Sequence, residues 1–248
     1  MTTSSAPERI RVFCFPFAGG GATLYRQWAP ALSSTSELAF LHFPGREQRI
    51  SEDPVRDLSC LVVSIVTAIS PHLDLPFVFF GHSFGALVAF ETARLLRAHG
   101  LPMPSDLIVS GCPAPSMPPR RQPVHHLPDN EFIDEIRRYG GGPAEVWSEP
   151  ELLALLLPAL RADFEAAERY RFEPGPPLPV AITAWAGYDD EEVTLEELEG
   201  WRKEAGGEFS LRQFPGHHFY LADSPEFLSA LQKKLSMVRS HRQVRPRA

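Results

Sequence analysis

Apolar residues along the chain fall into two patterns: short continuous or alternating runs, and longer stretches in which they recur every three or four positions. Ile10–Phe15, Leu38–Phe43, Phe77–Phe80, Leu107–Ser110, Val180–Ala186 and Phe209–Phe214 are of the first kind and read as strands. Leu58–Ile69, Ala86–His99 and Pro225–Val238 have helical spacing. Strands alternating with helices predict an α/β domain on a largely parallel sheet, whose ligands bind beyond the carboxyl ends of the strands.

The alternation breaks between Pro113 and Pro179. This stretch opens with "PAPSMPPRRQP", carries helical patterns over Asp129–Tyr139 and Glu149–Tyr170, and closes with "PGPPLP". A crossover between parallel strands needs only about a dozen residues or slightly more, so the excess predicts a helical lid inserted at about residues 113–179. The alternative is that these helices only cover a sheet face. With 248 residues the chain fits a single domain carrying such an insertion.

Composition narrows the function by exclusion. The net charge of −7 argues against nucleic acid as a partner. Basic residues do gather at the end, where Arg239, Arg242, Arg245 and Arg247 have no acid between them, and a disordered tail is expected over about 239–248. No stretch has the length of a membrane span and the start lacks the apolar core of a secretory signal, so a cytoplasmic protein is expected. Cys14, Cys60 and Cys112 sit in apolar runs without metal-ligand spacing and read as reduced, buried thiols; no metal or cofactor is expected.

One stretch carries chemistry. In "FFGHSFGALVAF" Ser83 stands between a strand and a helix, with Gly81 and Gly85 two positions away on either side. A strand-turn-helix elbow forces its central residue into a strained conformation and lifts the side chain clear of the sheet, which leaves no room for side chains at those two flanking places. Ser83 is therefore a candidate nucleophile. It needs a base, and in this arrangement the acid and then the histidine follow later in the chain. "QFPGHHFYLADSP" offers His217 and His218 before the last helix, while "AWAGYDDEEV" offers Asp189, Asp190, Glu191 and Glu192 after a strand. His82 reads as a structural hydrogen-bonding partner, and His125 and His126 as solvent-facing lid residues. Backbone N–H groups for an oxyanion are expected from Phe84, after the nucleophile, and from the glycine-rich loop "CFPFAGGGATLY". That loop lacks the Gly-Lys-Ser/Thr and G-x-G-x-x-G signatures of phosphate binding.

Taken in order, "FPFAGGGA", "FPGRE", "GHSFGA", "LPALRADFEAAERY", "GYDD" and "FPGHHFYL" resemble the motifs of the type II, external editing thioesterases that accompany polyketide synthases and nonribosomal peptide synthetases. The resemblance covers about Arg11 to Leu235. It implies an α/β-hydrolase fold, with a mostly parallel central sheet, flanking helices and an inserted helical lid. It also implies hydrolysis of aberrant or stalled acyl groups from the phosphopantetheine arm of acyl or peptidyl carrier proteins, with acyl-CoA as a surrogate substrate. The phosphopantetheine belongs to the substrate, so no cofactor is implied.

On this resemblance the acid maps onto Asp190, the base onto His218 and the second oxyanion donor onto Ala18. The chain departs from the family pattern at Phe17, where His is frequent, at His217, where Gly is usual, and in the extra Asp189. Integrated type I domains commonly carry their acid after an earlier strand, where this chain reads "VSGCPAP" without a carboxylate, which favours a stand-alone enzyme. Two other readings share the scaffold: a small-molecule carboxylesterase or lipase, and a non-catalytic binding protein. For carrier docking, Arg120 and Arg121 in the first proline-rich border are the expected basic residues.

Overall fold

The computed structural model describes residues 9–34, 36–138, 149–222 and 224–243. Its strands are β1 (Ile10–Phe15), β2 (Ser36–Phe40), β3 (Phe77–His82), β4 (Asp106–Ser110), β5 (Ala181–Gly187) and β6 (Phe209–Phe214). Together they form one sheet in the order β2-β1-β3-β4-β5-β6, and every neighbouring pair is parallel. The described helices are α1 (Thr23–Arg26), α2 (Ala29–Leu32), α3 (Leu58–Ile69), α4 (Phe84–Ala98), α5 (Asp129–Arg137), α6 (Pro150–Arg169), α7 (Leu195–Glu199) and α8 (Pro225–Gln243).

Both sheet faces are buried, which explains why the strands read as nearly unbroken apolar runs. Cys14 and Cys112 are buried as expected, but Cys60 is exposed, because it lies in the first turn of α3 on the face turned away from the sheet. Successive side chains alternate between two cores. Phe13, Phe15, Phe77, Phe79, Leu107 and Val109 join α3 and α4 on one face, while Val12, Cys14, Val78, Phe80 and Ile108 join Tyr25, Trp28, Phe227 and Leu231 on the other. β2 and β3 flank β1 on opposite sides, so the crossovers diverge at the carboxyl ends of β1 and β3, the point where sheets of this kind bind their ligands. The glycine-rich loop leaves β1 at this point, and the Ser83 elbow leaves β3.

Several boundaries differ from the sequence reading. β2 ends at Phe40, short of the expected Phe43, because β1 turns into the glycine-rich loop after Phe15 and leaves later residues no ladder to join. α4 starts at Phe84, two residues early, since Ser83 is itself the residue preceding the helix. α8 continues to Gln243, five residues into the segment expected to be a disordered tail; no Gly or Pro occurs between Val238 and Gln243, and Val238 is still buried. Residues 244–248 lie outside the described residues. The β4–β5 connection carries α5 and α6, and Tyr139 of the expected first lid helix lies outside the described residues.

Candidate active site

Ser83 adopts φ 52° and ψ −124°, one of two described non-glycine residues with positive φ. The strain is over-determined by its surroundings. A Cβ on Gly81 would sit 2.2 Å from the Gly85 carbonyl oxygen, and one on Gly85 would sit 2.2 Å from that of Phe15. Both contacts are with backbone, so only glycine lets α4 fold back against β3 and β1 this closely. The Ser83 N–H donates to the Ser110 carbonyl at 2.7 Å, and its side chain makes no helix-capping bond.

The candidate acid and base are brought together by the β5–β6 ladder. Beyond its last pair, Gly187 with Phe214, the Tyr188 N–H donates to Phe214 and the Asp189 N–H to Gly216, at 2.7 and 3.0 Å. Alternation then separates the neighbours. Asp189 and His217 are exposed, with His217 Nδ1 3.1 Å from the Asp189 carbonyl. Asp190 and His218 turn inward, their side chains only 0% and 5% exposed, with Nδ1 at 3.1 and 3.0 Å from the two carboxylate oxygens. Asp190 also accepts the Glu192 N–H at 2.9 Å. The His218 ring lies 4.7 Å from that of His82, the residue just before Ser83, so the pair reaches the elbow. Glu191 is exposed, and Glu192, whose carboxyl is pushed up by burial, pairs with Arg121 at 2.6 Å.

A model of the Thioesterase domain matches residues 10–235. The chain belongs to the thioesterase family. It is 39% identical over 235 residues to the gramicidin S biosynthesis protein GrsT of Aneurinibacillus migulanus, covering 94% of this chain and 92% of that one. Thioesterase PikA5 of Streptomyces venezuelae is 41% identical over 216 residues, with 86% and 76% covered. Among solved structures, the type II thioesterase BorB from the borrelidin biosynthetic cluster superposes with a TM-score of 0.82 at 36% identity, over 96% of this chain and 94% of BorB. The enzyme is thus a thioester hydrolase.

In this thioesterase the glycine-rich loop is held by side chains that sequence reasoning did not single out. Asp163 on α6 accepts the Gly19 N–H at 2.8 Å and takes a two-pronged contact from Arg46 at 2.6 and 2.8 Å, while Arg46 also donates to the Gly20 carbonyl. Both ion-pair side chains are about as buried as any in the protein, at 3% and 2% exposure. Glu47 accepts the Ala22 N–H at 2.9 Å. Gly19 itself, at φ +69°, lies under Leu160 of α6. The signal was present in "FPGRE" and "RAD", but an Arg and an Asp 117 positions apart carry no local pattern.

Ala18, at the head of this loop, packs against the core, and Phe84 is the first residue of α4, where backbone N–H groups lack intrahelical partners. One expectation about the lid borders changes. His125 is not solvent-facing: it is part-buried and meets Glu168 of α6, whereas His126 is exposed. Arg120 and Arg121 are half-exposed but paired with Glu197 and Glu192 at 3.2 and 2.6 Å, which ties the first proline-rich border to the loop carrying Asp190. No described helix is long and apolar enough to cross a membrane.

Proposed function

We propose that this thioesterase removes acyl groups from the phosphopantetheine thiol of carrier proteins in polyketide or nonribosomal peptide assembly, through an acyl-enzyme on Ser83. The observation that carries the mechanism is the buried Asp190–His218 pair beside the Ser83 elbow. With Nδ1 held by the carboxylate, Nε2 is the nitrogen that takes the Ser83 proton as Oγ attacks the thioester carbonyl carbon. Asp190 fixes that tautomer and stabilises the imidazolium. The oxyanion is met by the backbone N–H groups of Phe84 and Ala18. Collapse breaks the C–S bond, and the departing sulfur receives the proton from His218. Water, deprotonated by His218, then attacks the ester carbon and releases the acid and Ser83.

The names of GrsT and BorB place those relatives in peptide and borrelidin biosynthesis, and this supports carrier-bound thioesters as the substrate class. The segment with α5 and α6 acts as a lid over the glycine-rich loop, admitting a thin pantetheine arm while limiting bulk water. No metal or cofactor enters the scheme, and the enzyme works in the cytoplasm. The test is kcat/KM on an acyl-carrier protein, the matching acyl-CoA and the matching p-nitrophenyl ester. Carrier-bound thioester should lead; a clear preference for the oxoester would make the protein a carboxylesterase.

A further inference from the structure

Behind the proposed triad lies a buried polar chain. His82 is fully buried, and its Nδ1 is 2.9 Å from Ser110 Oγ, which is 2.8 Å from the hydroxyl of Tyr220. Ser110 is the register partner of His82 across β3 and β4, and its carbonyl accepts the Ser83 N–H. Tyr220 stands two residues after His218 and stacks on Phe214 with ring centroids 5.2 Å apart. The chain of hydroxyls therefore joins the loop bearing the base to the elbow bearing the nucleophile.

The two imidazoles are packed together deliberately in space. Their centroids are 4.7 Å apart at a 45° tilt, and Phe219 closes on both rings. Room for them exists because residue 111 is glycine, at φ +56°: a Cβ there would lie 2.7 Å from His82 Cε1 and 3.1 Å from His218 Cε1. His82 Nε2 has no hydrogen-bond partner among the described residues. A proton on Nδ1, donated to Ser110, leaves Nε2 as a lone pair, which costs less to bury than an orphan N–H.

We propose that His82 is a positioning residue, a neutral imidazole locked by Ser110 and Tyr220, against which the ring of His218 is set so that it faces Ser83. The inference rests on the triad reading above and adds a residue to it that touches neither substrate nor the transferred proton. The titratable groups facing His82 are His218, with Asp190 behind it, and Tyr220; burial drives His82 far below the ordinary imidazole range, followed by the charge of His218, and burial drives the Tyr220 hydroxyl up. Neither of these two changes charge while His218 works, so the positive charge of the reaction develops on His218 alone.

The test removes the chain one hydroxyl at a time. Tyr220→Phe and Ser110→Ala should lower kcat on a small acyl-pantetheine thioester roughly 10- to 100-fold, the cost of a base displaced by about an ångström. KM should stay within about twofold, and the midpoint of the acid limb of kcat/KM should stay in place, since the Asp190 contact survives. Ser110→Thr, which keeps the hydroxyl, should restore most of the rate. Gly111→Ala should be the most damaging, and if it fails to fold the hydroxyl variants still decide. Wild-type kcat in folded Tyr220→Phe and Ser110→Ala with only a lower melting temperature would make the chain merely structural and overturn the proposal. So would an acid limb moved by a full pH unit, which would mean that His82 tunes proton affinity rather than geometry. Failure of the triad reading would appear separately, as activity in His218→Ala.

Discussion

Both carboxylate oxygens of Asp190 lie within hydrogen-bond distance of His218 Nδ1, at 3.1 and 3.0 Å, whereas the adjacent Asp189 meets His217 only through its backbone carbonyl. The two aspartates should therefore separate cleanly. Asp190→Asn is expected to lower kcat by about 10⁴, because the amide favours the wrong imidazole tautomer. Asp189→Asn, at an exposed position, should stay within about twofold of wild type. Steady-state rates of both variants on one thioester check this.

Asp163 and Arg46 form a pair withdrawn from water and shared with the glycine-rich loop. Removing one partner leaves the other charge buried, a loss of about 3–5 kcal/mol. Asp163→Ala and Arg46→Ala should each show that loss in urea unfolding, and the enzyme that remains folded should also turn over more slowly, because the Gly19 and Gly20 backbone they hold stands beside Ala18.

His82 makes stability depend on pH with a definite sign. Its folded-state pKa is depressed, by burial first and by His218 second, so below about 6.5 the unfolded chain takes up a proton that the folded chain refuses. The stability this site preserves is complete above pH 6.5 and is lost as pH falls toward the folded pKa. His82→Gln should flatten the stability profile between about pH 6.5 and 5, measured by urea midpoints; an unchanged slope would show that other groups govern it.

The elbow tolerates no Cβ. Gly85→Ala would drive its methyl against the Phe15 and Pro16 carbonyl oxygens at 2.2 and 2.6 Å, and neither can move without shifting β1. A loss of about 3 kcal/mol or more is expected, at the upper end of overpacking costs. Gly100→Ala is the control for positive φ without crowding, since nothing lies within 4 Å of its would-be Cβ. Thermal unfolding of the two compares clash with strain.

Much of the sheet was legible in the sequence because burial on both faces writes strands as compact apolar runs, and the elbow because its glycines are fixed by backbone contacts. The residues grouped around Ser83 were legible only as candidates. Sequence left Asp189 and Asp190 equal, and His217 and His218 equal, on residue type alone; the β5–β6 register is what turns one member of each pair inward. The hold of Asp163 and Arg46 on Gly19 was out of reach, because it joins α6 to two loops that are distant in sequence. His82 was read as a hydrogen-bonding residue, but its contact with His218 depends on Gly111, a residue whose conformation no local pattern announces.

Ser83 as nucleophile is decided by the rate of Ser83→Ala on an acyl-carrier thioester. With the circular dichroism spectrum and melting temperature of the wild type, the variant should lose a factor on the order of 10⁴ or more in kcat/KM. A folded Ser83→Ala enzyme turning over within tenfold of wild type would contradict the acyl-enzyme mechanism.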